Sequence, residues 1–215
     1  MDSIFKLNYC VVIFLCTMLL LVLPERATSK YRIGLKAGAN YTWPYPKNHK
    51  PDSRSYPAGY FAGILMQVDK TKNLSLISEL LLAKGSQYVE YYGTTEFPNL
   101  NKFTYYSLLF PVMLKLKSFR SIHFSTGPTI ECLIKATYKA TYDSKANNFS
   151  QVNITRELPH WGLNYAMGIG NEIQYQSCII SLELRYLIGL TRYRYKEYPW
   201  DWRNHSVQAG LIVYF

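Results

Sequence analysis

Apolar and polar positions alternate along most of this chain, and the alternation is clearest in its last ten residues. There Val207, Ala209, Leu211, Val213 and Phe215 share one side, while Ser206, Gln208, Gly210 and Tyr214 share the other, with Ile212 as the exception. Successive side chains of a strand point to opposite faces, so this is a strand with one apolar face. The same period recurs from residue 31 onward and predicts eight strands: Tyr31 to Thr42, about Ala58 to Val68, Leu74 to about Val89, Phe103 to Lys117, Ile122 to about Tyr138, about His160 to Tyr175, Cys178 to Thr191, and the terminal segment. In the sixth, Trp161, Leu163, Tyr165, Met167, Ile169 and Ile173 oppose Gly162, Asn164, Gly168, Gly170, Glu172 and Gln174. In the seventh, Ile180, Leu182, Leu184, Tyr186, Ile188 and Leu190 oppose Ser181, Glu183, Arg185 and Gly189.

The connections between these segments alternate in length. Asp69 to Asn73, Ser118 to Ser121 and Gln176-Ser177 are short. Trp43 to Pro57, Tyr91 to Lys102, Lys139 to Pro159 and Arg192 to Arg203 are long. Short turns at one end and long loops at the other are the arrangement of transmembrane β-barrels, in which the long loops face outward from the cell. The polar faces are rich in glycine and carry Lys36, Glu79, Lys115, Glu131, Glu172, Glu183 and Arg185. A soluble lipocalin-like ligand-binding barrel has the reverse arrangement, apolar inside and polar outside. The expectation is therefore an all-β fold, an eight-stranded antiparallel up-and-down transmembrane β-barrel. Its lumen is crowded by side chains, because eight strands leave an interior only just wide enough for them. The seven charged residues are expected to form an internal ion-pair network, since an unpaired buried ion costs several kcal/mol.

The N-terminal segment has a different character. Lys6 precedes an apolar run from Tyr9 to Leu23, interrupted by Thr17 alone, which Pro24 and Glu25 end. The run is shorter than the ~20 residues of a spanning helix, and Ala27-Thr28-Ser29 offers small residues at cleavage spacing. Residues 1–29 are expected to be a cleavable signal peptide and residues 30–215 a single barrel domain. Past residue 29 no apolar run is long enough for a membrane-spanning helix, which excludes a polytopic helical protein. The formal charge is +10. With export implied, that charge suits contact with anionic lipid headgroups or surface polysaccharide better than nucleic acid. Two cysteines follow the signal segment, Cys132 and Cys178. Both sit in strands, and no C-x-x-C spacing points to zinc or redox chemistry.

The strand segments also carry a resemblance. IGLKAGANYTW from Ile33, GYFAGILMQV from Gly59, LSLISELLLAKGSQY from Leu74, YYSLLFPVMLKLK from Tyr105, GPTIECLIKA from Gly127, YAMGIGNEI from Tyr165, LELRYLIGLT from Leu182 and the terminal SVQAGLIVYF together resemble the PorT family of outer-membrane β-barrels of the Bacteroidetes. The resemblance spans nearly all of residues 30–215. It implies an eight-stranded barrel in the outer membrane. The family's namesake is associated with export of proteins to the cell surface, while most members have no assigned role.

Chemistry-bearing motifs are sparse. The chain has no nucleophile elbow, phosphate loop, His-x-x-x-His spacing or acidic metal loop. His49 with Asp52 and His205 with Asp201 fall near long loops, where a hydrolase would need them, but solvated loop residues are the ordinary reading. The expectation is a non-enzymatic protein without catalytic residues, cofactor or metal. A small-solute porin is one alternative, and a soluble secreted lipocalin-like ligand-binding barrel is the other. The expected partners are outer-membrane lipid and other membrane or secreted proteins, with no nucleic acid, and the barrel is expected to be a monomer. Tyr193, Arg194, Tyr195, Tyr198, Trp200 and Trp202 are the expected surface-loop interaction segment, because aromatics and arginine dominate interface energetics.

Overall fold

The computed structural model describes residues 30–46, 58–91, 99–118, 121–141, 149–194 and 201–215. The expected signal segment, residues 1–29, lies outside them. The described chain forms ten strands: β1 Lys30–Pro46, β2 Gly59–Asp69, β3 Leu74–Tyr91, β4 Asn99–Lys117, β5 Ile122–Thr141, β6 Phe149–Asn153, β7 Trp161–Tyr175, β8 Cys178–Gly189, β9 Tyr193–Arg194 and β10 Asp201–Tyr214. Eight of these pair antiparallel with their neighbours in the order β1-β2-β3-β4-β5-β7-β8-β10. Pairing of β10 with β1, from Gly34 opposite Tyr214 to Pro46 opposite Trp202, closes the sheet. The fold is a closed eight-stranded antiparallel β-barrel.

The two additional strands are short and lie in the long connections. β6 pairs with the far end of β5, and β9 pairs with the start of β10. Several barrel strands also run further toward the long-loop end than their alternation alone predicts. β1 continues to Pro46, β4 begins at Asn99 and β10 begins at Asp201. The turn end is compact by contrast. β7 and β8 are joined by Gln176-Ser177, where Gln176 adopts φ of 51° to make the reversal. In the β2–β3 turn, Asp69 accepts hydrogen bonds from Gln67 Nε2 at 2.7 Å and Ser75 Oγ at 2.6 Å, and it pairs with Arg32 of β1.

The two faces of the wall differ as the alternation requires. The outer face exposes Ile33, Leu35, Ile64, Leu82, Ile169, Leu182, Leu184 and Leu211, with Ile33 64% and Leu182 60% exposed. The inner face buries Lys36, Gln67, Ser75, Glu79, Lys115, Ser181, Glu183, Arg185 and Gln208. Apolar side chains fill the spaces between the polar ones. Ile212, the exception in the terminal strand, points inward and is 2% exposed, packed with Leu65, Ile77, Met113, Leu187 and Tyr214. Phe61 lies across the inner wall beside Gly38 and Gly210. A β-carbon on Gly38 would come within 2.6 Å of its ring, so that pair of positions must stay bare for the ring to fit.

One irregularity shifts the pattern. Tyr106 pairs with Lys135 but Ser107 with Leu133, so Ile134 is an extra residue in β5. A bulge of this kind puts two consecutive side chains on one face and reverses the phase beyond it. Ile134 and Lys135 are both exposed, whereas Leu133 and Ala136 are both buried.

Candidate functional site

The lumen holds the buried charges, and strand register sorts them by height. At mid-barrel, β1 contributes Lys36, β3 Glu79, β5 Ser125 and β8 both Glu183 and Arg185. Arg185 donates to Glu79 through both arms of its guanidinium, Nη1 to Oε2 at 2.9 Å and Nη2 to Oε1 at 2.7 Å. Two parallel bonds to one carboxylate are the strongest geometry open to an arginine. Nη2 also donates to Glu183 Oε2 at 2.9 Å. Lys36 Nζ bridges the same two carboxylates, 3.1 Å from Glu79 Oε1 and 2.5 Å from Glu183 Oε2. Ser125 Oγ donates to the remaining oxygen of Glu183 at 2.7 Å.

Two positive and two negative charges thus share one site and balance. The four residues are at most 5% exposed. Gly168 makes room for them: a β-carbon there would stand 2.6 Å from Ser125 Oγ and 3.1 Å from Glu183 Oε1.

A second cluster lies toward the turn end. Lys115 of β4 pairs with Glu172 of β7, whose other oxygen is 3.2 Å from Lys117 Nζ. Lys115 Nζ also donates to Gln67 Oε1 at 3.2 Å and lies 5.3 Å from the centre of the Tyr214 ring. Gln67 passes the contact on to Asp69 and Ser75, which joins the cluster to the β2–β3 turn.

Toward the long-loop end the lumen changes character. Glu131 accepts hydrogen bonds from Asn164 Nδ2 at 3.1 Å and from the Tyr193 hydroxyl at 3.3 Å. It takes part in neither ion-pair cluster, which corrects the expectation that all seven charged residues form one network. The reason is distance along the strand. Glu131 shares an inward face with Ser125, but six residues further along, about 20 Å at the usual rise of a strand. Two small cavities, of about 20 and 30 Å3, adjoin it and share Tyr105, Glu131 and Asn204 as lining. Each is the size of one or two water molecules.

Tyr193 is the second correction. Expected on the surface, it is 6% exposed and packs with Phe103, Leu133, Ala136, Ile154 and Leu158 inside the mouth of the barrel. The connection after β8 folds back so that β9 pairs with β10, and this carries the tyrosine over Glu131. Of the rest of that segment, Arg194 lies opposite Asp201, and Trp202 lies opposite both Tyr193 and Pro46. Tyr195, Tyr198 and Trp200 fall outside the described residues, as do His49 and Asp52. His205 sits on β10, where its Nδ1 is 3.0 Å from the Tyr186 hydroxyl and its ring stacks against Trp43 and Tyr186.

Ser125, Gln67 and Tyr193 are among the polar groups that meet these charges. The alternation places Ser125 and Gln67 on the inward faces, but nothing in the sequence marks which carboxylate or ammonium each meets. Among the described residues no group of three or more His, Cys, Asp or Glu side chains is arranged to hold a metal ion. Cys132 and Cys178 are free thiols.

No protein-family model matches the chain, and no curated protein matches it. Among solved structures it is similar in fold to Ail, the attachment invasion locus protein of Yersinia pestis, at 11% identity, covering 86% of this chain and 99% of that one with a TM-score of 0.46. It is also similar to Neisserial surface protein A, at 11% identity over 88% of this chain and 100% of that one with a TM-score of 0.44. A third similar structure is the outer membrane protein OprG of Pseudomonas aeruginosa, at 11% identity over 89% and 98% of the two chains with a TM-score of 0.47.

Proposed function

We propose that this protein is a non-enzymatic barrel of the bacterial outer membrane, with a closed lumen and a structural or interaction role carried by its long loops. The observation that supports this most is the inversion of the two faces. Charged side chains at most 5% exposed sit inside, and isoleucine and leucine more than half exposed sit outside. In water that arrangement leaves a large apolar belt uncovered, whereas in a bilayer the hydrocarbon covers it. The belt has the right height. On β8 the outward residues from Ile180 to Leu190 span ten residues, about 33 Å along the strand at ~3.3 Å per residue. At the usual strand tilt of ~40° this becomes about 25 Å along the barrel axis, the height of the apolar band of outer-membrane barrels. Closure leaves no unpaired sheet edge in contact with lipid.

The resemblance to the PorT family adds a finer reading, an accessory role in protein export to the cell surface, with the long loops as the contact surface. Residues 1–29 would then be the cleaved export signal, and the barrel a monomer that takes no cofactor. The test of membrane residence is heat-modifiability. A folded barrel extracted from membranes migrates differently on a detergent gel before and after boiling, and a soluble chain with no shift would refute the proposal.

The small-solute porin remains the competing function, and the lumen weighs against it. The Arg185–Glu79–Lys36–Glu183 cluster crosses the interior at mid-height, and the two cavities beyond it among the described residues each have room for one or two waters. In planar bilayers the wild-type barrel is expected to give almost no current. Steady single-channel openings would favour the porin.

A further inference from the structure

We propose that the outer wall of β3, β4 and β5, near the long-loop end, is a docking site for the phosphate of an anionic lipid in the outer leaflet. This rests on the membrane-embedded reading above. Strand register builds the site in rows. Leu82, Leu108 and Cys132 form an apolar row across the three strands. The next outward row is Lys84, Tyr106 and Lys135, the row beyond it is Ser86, Thr104 and Thr137, and the one after places Lys102 opposite Lys139. Apolar wall therefore gives way to ammonium and hydroxyl groups within one step, and the first acid in this register, Glu90 opposite Leu100, comes only one row beyond Lys102.

The geometry within the rows fits an anion at a membrane interface. Lys84 Nζ lies 5.5 Å from the centre of the Tyr60 ring and 5.8 Å from that of Tyr106. Two ring faces hold the ammonium at the height of the aromatic belt, where headgroups lie. Lys135, exposed, stands on the far side of Tyr106. Directly beyond the first lysine row, buried Ser86 shares a 3.2 Å hydrogen bond with Thr104 and Thr137 Oγ1 donates to the Thr104 carbonyl, so the hydroxyls brace the wall and the ammonium groups are left to meet the anion. A phosphate takes charge-assisted hydrogen bonds from ammonium groups. The site is on the side of the wall, flush with the apolar belt. That position favours a lipid already in the bilayer over a soluble polyanion arriving at the loop tips.

The test uses the purified barrel in detergent micelles, offered phosphatidylglycerol and phosphatidylcholine together, with bound lipids counted by native mass spectrometry. Each basic side chain at an anionic surface is worth roughly fivefold in binding, so the Lys84→Gln/Lys135→Gln double variant should lose about twenty-fivefold of the preference for phosphatidylglycerol. A Lys102→Gln/Lys139→Gln variant should lose preference in the same direction. A Lys70→Gln/Lys72→Gln variant, which removes the same charge at the turn end, should keep it. Equal losses in the two ends' variants, or no anionic preference in the wild type, would overturn the proposal. Heat-modifiability and insertion into pure phosphatidylcholine vesicles are read on the same samples. A barrel that inserts there yet shows no anionic preference overturns this inference alone, and a chain that enters no bilayer overturns the membrane reading with it.

Discussion

Replacing Arg185 with methionine removes one guanidinium and leaves two carboxylates sharing a single ammonium. Arg185 contacts Glu79 at 2.7 and 2.9 Å and Glu183 at 2.9 Å, and all three side chains are almost fully buried. At an effective dielectric of about 20, a pair of unit charges 4 Å apart is worth about 4 kcal/mol, so the two carboxylates together lose about 8 kcal/mol of attraction. Several kcal/mol of that is returned, because the guanidinium no longer has to be stripped of water. The net expectation is a loss of about 3–5 kcal/mol, the range found when one partner of a buried pair is removed. The assay is reversible urea unfolding in phosphatidylcholine vesicles, followed by tryptophan emission, with the heat shift as a check that the starting barrel is folded. Adding Glu183→Gln to Arg185→Met restores the balance of one positive and one negative charge, and it should recover at least ~1.5 kcal/mol as a coupling term. A loss below about 1 kcal/mol, or single and double variants that add without coupling, would refute the argument that the four charges act as one neutral unit.

Three further outcomes are expected. Gly168→Ala pushes a methyl group against Ser125 and Glu183 and should cost about 1–3 kcal/mol in the same titration, with Ser125→Gly relieving most of it. Leu211→Arg, placed on the outward face opposite Leu182, should cost about 2–4 kcal/mol in a bilayer, and a negligible cost would mean that this face does not meet lipid. A membrane-impermeant maleimide added to the folded barrel in detergent should label Cys178, partly exposed beside the β7–β8 turn, and leave Cys132, packed against Phe110, unlabelled until boiling; labelling of Cys178 on intact cells would reverse the assigned orientation.

Much of the barrel was legible because its strands keep a strict period of two. β7 and β8 alternate almost without interruption, and their outward and inward residues are the ones that the pattern predicts. The inversion of polarity between the faces could also be read directly, since Lys36, Glu79, Glu183 and Arg185 all fall on inward positions. What the pattern could not convey is height. Alternation assigns a side chain to a face but not to a level in the lumen, so Glu131 was grouped with the charges around Glu183 although it lies six positions, about 20 Å along β5, beyond the Ser125 that touches Glu183. Period-based reading is also blind to an inserted residue. Ile134 reverses the phase of β5, and Ala136 turns inward only because of it. Tyr193 escaped for a third reason. Its burial depends on a two-residue pairing between β9 and β10, too short to leave any periodic trace. Ile212 breaks the polar face because an aliphatic group was needed between Leu65, Leu187 and Tyr214.

The seam between β1 and β10 carries a consequence for how the molecule comes to exist. Gly34 and Tyr214 face each other across it, although about 180 residues of chain separate them. Each hairpin of the wall forms from neighbouring segments, but the seam brings together segments from opposite ends of the described chain, and contacts so distant in sequence are the slow ones. A wall that has paired from β1 through β8 but lacks this seam has two open edges and an apolar back, and is prone to pair with its copies. The ring is complete only when β10 meets β1. Whatever escorts the chain before that moment must keep those two edges apart from every partner except each other.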